Sequence, residues 1–191
     1  IILADGIIGQ MMEKVVLPPF RPRRTEEEIR KQMPWATQGK LAGHKRNVIT
    51  SLELDPAIME ENNIRFQAKY RKIEEAEVRY EEIGCENADY LMIAFGSMAR
   101  ICLKTQEMAL AEGIKVGVLR PITLWPFPSK IIAEYANKVK GMISVELNAG
   151  QMVEDIRLAV NGKVKVEHFG RLGGIVPTPD EVLNALKQKL M

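Results

Sequence analysis

The chain has few of the residues that usually advertise a cofactor or a partner. Two cysteines, Cys85 and Cys102, stand in 191 residues, too few and too separated to ligate zinc or an iron–sulfur cluster through protein thiolates. They read as free thiols in a reducing compartment. His44 has Lys45 and Arg46 beside it and no second His or Cys near, so a ligand role is disfavoured. Aromatics are 6% of the residues and the formal charge is only +2, which makes no electrostatic case for nucleic acid. No apolar run approaches the ~20 residues of a membrane span, and no signal peptide is expected. A soluble, cytoplasmic protein with no membrane partner is expected.

Absent motifs exclude more. No G-x-G-x-x-G follows the first strong strand, only Gly96-Ser97, which disfavours a Rossmann dinucleotide site. No G-x-x-x-x-G-K-[ST] exists, and Ser97 lacks the G-x-S-x-G context of a hydrolase nucleophile.

What is present is a repeating strand–helix pattern. Tyr90–Phe95 is almost wholly apolar and stops at Gly96-Ser97, as expected of a strand buried on both faces. Gly96 permits a tight exit, and Ser97 is expected to cap a helix from Met98 that presents Ile101, Thr105, Met108 and Ala109 before Gly113. Further strands are predicted at 115–119, 142–146 and 164–169, alternating with helices at 129–140, 151–161 and 179–190. Strands joined by helical crossovers pair in parallel and need cover on both faces. Thr178-Pro179-Asp180-Glu181 carries a Thr cap, Pro at the first helical position and Glu at the third. Residues 87–191 are therefore predicted to form an α/β domain.

Upstream, Ile1–Ala4 reads as a buried strand, Asp5-Gly6 as its turn, and Ile7–Val16 as a helix ended by Leu17-Pro18-Pro19. One strand and one helix close no core, so residues 1–17 are expected to be the tail of another domain. Thr25 and Glu28 fit a capping box. Arg21, Arg23 and Arg24 read as a solvated linker in preference to a phosphate-contacting patch. Residues 35–47 read as loop, and 48–54 as a short strand or hairpin arm. Asp55-Pro56 starts the longest predicted helix, to about Ile83, with Met59, Phe66, Tyr70, Ile73, Tyr80 and Ile83 at helical spacing. It is expected to act as a connector that packs on both of its neighbours.

Ligands of open α/β sheets collect beyond the C-terminal strand ends. Those ends supply Ser97, Arg120, Glu146 with Asn148, and Arg171 with Gly173 and Gly174. Glu146 ends a buried strand and can orient a ligand, accept amides of the helix near Gln151, or pair with Arg120 or Arg171. A structural role is the favoured of these. The Gly170–Gly174 loop, GRLGG, can cradle an anion through its amides or simply link to the last helix. His168 is expected to be an ordinary side chain on a half-covered face.

The segments DGIIGQMMEKVVLPP, EVRYEE, YLMIAFGSMARI, IKVGVLRPITLWPFP, VELNAGQM and FGRLGG closely resemble the alpha subunit of 2-oxoacid:ferredoxin oxidoreductases, in the 2-ketoisovalerate (3-methyl-2-oxobutanoate) branch. The likeness implies a three-layer, mostly parallel sheet of transketolase C-terminal type at 87–191. It further implies a linker at 18–86 with a long helix at about 56–83. Residues 1–17 become a remnant of the pyrimidine-end thiamine-diphosphate domain. The implied activity is CoA-dependent oxidative decarboxylation of a 2-oxoacid, with electrons leaving to ferredoxin. Beta, gamma and delta-type subunits are the implied partners, and a dimer is compatible with them. Thiamine diphosphate, Mg and iron–sulfur clusters belong to the whole enzyme, and none is expected on this chain, where the resemblance assigns no catalytic residue and makes architecture the first role. The alternatives of another class are a free-standing nucleotide-binding or regulatory α/β module and a purely architectural domain.

Overall fold

A computed structural model of the chain describes residues 1–36, 39, 43 and 45–191. It divides into two units, Ile1–Met11 with Lys69–Met191, and Met12–Ala68.

The larger unit is built on β2 (Tyr90–Ile93). Its parallel neighbours are β3 (Val116–Pro121) on one side and β4 (Gly141–Glu146) on the other, and β5 (Lys165–Gly170) pairs with β4. Successive residues of these strands feed opposite faces: Leu91 and Ile93 join one apolar cluster, while Met92 and Ala94 join the other. That two-sided burial is why the runs are apolar without alternation. Helices α4 (Gly96–Ala111) and α7 (Pro179–Leu190) cover one face, and α5 (Ser129–Tyr135) and α6 (Met152–Val160) the other. The three-layer, mostly parallel α/β architecture is therefore present.

The fifth strand corrects one expectation. The long helix α3 (Pro56–Ala76) ends at Ala76, and β1 (Tyr80–Ile83) pairs antiparallel with β3, giving the order β1-β3-β2-β4-β5. Tyr80 and Ile83 fit a helical period and a strand period equally well, and long-range partners decide between them. Glu81 accepts from Arg120 at 2.7 Å, Glu82 accepts from the Tyr135 hydroxyl, and the Arg79 amide donates to the Thr123 hydroxyl at 3.0 Å. No residue of α3 is buried, and Phe66 and Tyr70 are about two-fifths exposed. The apolar stripe is thus nowhere fully buried, although the Tyr70 ring stands edge-on to that of Trp125 at 5.5 Å.

Near the amino terminus the predicted helix contracts to α1 (Gly6–Gln10), and Ile1–Ala4 forms no strand. α1 has no side-chain cap, and Val15 and Val16 are poor helix extenders. In the smaller unit, α2 (Glu26–Gln32) has the expected capping box, with the Glu28 amide donating to the Thr25 hydroxyl at 3.2 Å and the Thr25 amide donating to the Glu28 carboxylate at 2.8 Å. Residues 48–54 form no strand. The expectations for His44 and for much of the 35–47 loop lie outside the described residues.

Candidate functional site

In a parallel sheet the connections leave the C-terminal strand ends. After β2 the chain turns onto one face as α4, and after β4 onto the other as α6. The adjacent ends of β2 and β4 are therefore the point at which the topology reverses, where open α/β sheets bind ligands. Ser97 and Glu146 stand at those two ends. Arg120 ends β3 next to them, and Arg171 with Gly173 follows β5.

Glu146 is 2% exposed. A carboxylate that deep stays ionised only if its oxygens are satisfied, and here they are. Oε1 accepts from the Ser144 hydroxyl at 2.7 Å and the Val153 amide at 3.0 Å. Oε2 accepts from the amides of Gln151 at 3.1 Å and Met152 at 2.9 Å. The carboxylate thus closes the start of α6, where free amides and the helix dipole both favour negative charge. Burial pushes its pKa up, but the Ser144 hydroxyl and the Met152 and Gln151 amides more than offset this and leave it below the ordinary value. Of the readings open from sequence, the amide-bonded one is present, and neither arginine is the partner. Asn148 accepts the Gly150 amide at 2.7 Å and holds the turn between β4 and α6.

His168, on β5, places Nε2 at 3.9 Å from Glu146 Oε1, too far for a hydrogen bond. Nε2 is buried and has no partner among the described residues. Burial holds its pKa below the ordinary value, against the pull of Glu146, with Lys189 and Arg157 lowering it further. Sequence reading treated His168 as incidental. Its approach to Glu146 is set by the β4–β5 register, Ser144 opposite His168, and no local pattern signals it.

At the end of β2 the expected Ser97 cap is absent. The helix begins at Gly96, Phe95 holds the N-cap position, and no side chain of the helix caps it. Phe95 has nothing to accept with, so the cap comes from 92 residues away: Asp5 Oδ2 accepts the Ser97 amide at 2.5 Å. Gly96 sits at φ +59, and a Cβ there would strike the Asp5 carboxylate, so only glycine suits the turn. The Ser97 hydroxyl is buried and unpartnered among the described residues.

The remaining candidates are spoken for. Arg120 pairs with Glu81, and Arg171 donates to Glu181 at 3.0 Å. The Leu172–Ile175 turn carries Gly173 and Gly174 at φ +65 and +84, with Leu172 and Ile175 more than half exposed. Two hollows adjoin this edge. One of about 280 Å³ is lined by residues that include Asp5, Gly96 and Arg120, and an apolar one of about 600 Å³ runs along Phe95, Pro121 and Trp125.

Among the described residues no group of three or more His, Cys, Asp or Glu stands together to hold a metal ion. Cys102 and Cys85 lie in the two opposite apolar clusters. Burial pushes the Cys85 thiol up to about 11 and raises Cys102 as well. Two separated, buried thiols do not fit an iron–sulfur cluster. Nor, among the described residues, is any helix long and apolar enough to cross a membrane.

Residues 88–182 match the family model of pyruvate:ferredoxin oxidoreductase core domain II. The chain is 43% identical over 188 residues to the ketoisovalerate oxidoreductase subunit VorB of Methanothermobacter thermautotrophicus, a match covering 98% of this chain and 51% of that protein. To the 2-oxoglutarate synthase subunit KorA of Methanothermobacter marburgensis it is 27% identical over 212 residues, 97% of this chain and 55% of that protein. The chain thus spans about half the length of the curated relatives it matches. Among solved structures it is similar to the 2-oxoglutarate:ferredoxin oxidoreductase from Magnetococcus marinus, solved with 2-oxoglutarate, coenzyme A and succinyl-CoA bound. That similarity has a TM-score of 0.67 and 25% identity, covering 82% of this chain and 28% of that one. A split-gene transketolase, solved as an inactive tetramer of its beta chain, shares the fold, with a TM-score of 0.51 at 20% identity over 59% of this chain and 41% of that one. A core-domain match, near-end-to-end likeness to VorB and a shared fold agree, and the chain belongs to the 2-oxoacid:ferredoxin oxidoreductase family.

Proposed function

We propose that this chain works as part of the alpha subunit of a 2-oxoacid:ferredoxin oxidoreductase whose substrate is 2-ketoisovalerate. The reaction joins a 2-oxoacid and CoA, releases carbon dioxide and a proton, and passes two electrons singly to two ferredoxins, leaving an acyl-CoA. The observation that carries the reading is the 43% identity to VorB across 98% of the chain. Thiamine diphosphate, with Mg, supplies the carbanion chemistry and iron–sulfur clusters carry the electrons. The clusters, which the two buried thiols here do not fit, and the thiamine diphosphate site are both assigned to the rest of the complex, on beta, gamma and delta-type subunits and the remainder of the alpha subunit.

The role of this chain is architectural: the five-stranded sheet from β1 onward, with its helices, forms the domain, and the linker precedes β1. What supports that role is the state of the sheet edge. Glu146, Asn148, Arg120 and Arg171 are each bonded within the chain. Their chemistry is spent on holding α6, a turn, β1 and α7.

The test is the purified complex that contains this chain, assayed for CoA-dependent ferredoxin reduction with 3-methyl-2-oxobutanoate, 2-oxoglutarate and pyruvate. The highest kcat/KM is expected for 3-methyl-2-oxobutanoate. A preference for another acid overturns the substrate, and no reduction with any acid overturns the reaction. Calorimetry of the chain alone with thiamine diphosphate and Mg²⁺ is expected to show no stoichiometric micromolar binding.

A further inference from the structure

The larger unit has a groove of about 530 Å³ between the end of α3, β1 and the start of α5. Tyr80, Phe127 and Ile131 give it apolar walls, and Glu74, Glu75 and Glu134 line it with carboxylates. None of these three side chains has an ion pair or a hydrogen bond among the described residues. Lys130 lines it too, so three carboxylates stand against one ammonium and the lining is net negative by two. Neighbouring like charges repel, and a cationic occupant relieves that repulsion.

The smaller unit carries the opposite chemistry. Residues 12–25 form no helix or strand, and every one of them is exposed. Within them stands Phe20-Arg21-Pro22-Arg23-Arg24, an aromatic ring followed by three guanidinium groups. Phe20 is fully exposed, and the three arginines make no ion pair or hydrogen bond among the described residues. Pro18, Pro19 and Pro22 hold such a chain extended, which lowers the entropy lost when it is bound. In an extended, polyproline-like chain, residues three apart share a side, so Phe20 and Arg23 point together. The ring suits apolar walls, and the guanidinium suits a carboxylate beside them.

We infer that the groove is a docking site for a second copy of this chain, and that its occupant is the Phe20–Arg24 arm of that copy. Phe20 lies against Tyr80 and Phe127, and the arginines meet Glu74, Glu75 and Glu134. Each copy has one arm and one groove, so two copies exchange arms about a two-fold axis and the assembly closes at a dimer. A contact made of two short arms is small and charged, which gives a transient, salt-sensitive dimer in place of an obligate one. The contact is made by side chains and leaves every strand edge as it is. It does not depend on the oxidoreductase reaction, so the chain is tested without partner subunits.

The experiment is sedimentation velocity on the full 191-residue chain and on two charge-reversed variants, Arg23→Glu with Arg24→Glu, and Glu74→Lys with Glu75→Lys. A dimer is expected for the native chain, weakened at least tenfold between about 0.05 and 0.5 M salt. Phe20→Ala should weaken it by about tenfold. Each charge-reversed variant alone should be monomeric, because its arm and its groove then carry the same sign. All the exchanged side chains are exposed, and unchanged circular dichroism is expected to show that the fold is kept. Mixed in equal amounts, the two variants should form a heterodimer, since each arm then meets a groove of opposite sign. A native chain that stays monomeric at low salt overturns the inference. So does a dimer that survives in either variant alone, which would place the contact elsewhere, and so does a mixture that stays monomeric.

Discussion

Replacing Glu146 by Gln keeps the shape of the side chain and removes its charge. The four donors around it then meet an amide that can accept at one end only. If the new NH₂ group takes the place of Oε2, the Gln151 and Met152 amides both face a donor. If it takes the place of Oε1, the Ser144 hydroxyl can rotate to accept and only the Val153 amide is stranded. The second arrangement is the cheaper one. One buried unsatisfied N–H costs about 1–3 kcal/mol, and losing a negative charge at a helix start about 1 kcal/mol more. Glu146→Gln should therefore destabilise the chain by about 2–4 kcal/mol, read as a lower urea midpoint at unchanged m. A loss under about 0.5 kcal/mol would refute the bonding argument. In the assembled enzyme the same variant should keep most of its turnover per folded complex. A hundredfold fall in kcat with normal folding, about 2.7 kcal/mol of barrier, would instead put Glu146 in the reaction.

Three further outcomes are expected. Glu146 and His168 both have folded pKa values below their ordinary 4.5 and 6.5, so the folded state binds fewer protons than the unfolded one and stability falls with acid. Titrated urea midpoints should start to drop below pH 6.5, drop again below about 4.5, and lose the first step in His168→Phe. With burial pushing Cys85 to about 11 and raising Cys102, neither thiol should react with a disulfide reagent at pH 8 until denaturant is added, and prompt labelling would contradict their burial. Thr178→Ala removes the hydroxyl that accepts the Glu181 amide at 3.3 Å and should cost about 1 kcal/mol by urea denaturation.

What the sequence showed plainly was whatever is decided locally. α7 runs over the predicted residues because its Thr-Pro-Asp-Glu start carries the cap, the fixed φ and the reciprocal glutamate in one tetrad. The buried strands were legible because two-sided cover demands unbroken apolar runs. β1 was missed because Tyr-Glu-Glu-Ile reads as more helix, and the partners of its glutamates are 39 and 53 residues away. The Ser97 cap was misassigned for the same reason: Ser is the better local cap, but Asp5 reaches the amide first. Glu146 was readable as a satisfied buried carboxylate, since it ends an apolar strand one turn before a helix. Its approach to His168 depends on the β4–β5 register, which one strand read alone does not reveal.

β1 also bears on how the chain avoids other copies of itself. Val116–Leu119 is a short apolar strand of the kind that seeds intermolecular sheets when its edge is bare. Because β1 precedes β2 and β3 in the chain, the segment that covers this edge has already left the ribosome when β3 emerges. No downstream element has to be awaited. At the opposite margin no strand among the described residues pairs with the outer side of β5, which carries Lys165 and Glu167, paired at 3.3 Å, and is nowhere fully buried. One edge is protected by the order of synthesis and the other by charge. A deletion that removes Tyr80–Ile83 should therefore appear first as aggregation during expression.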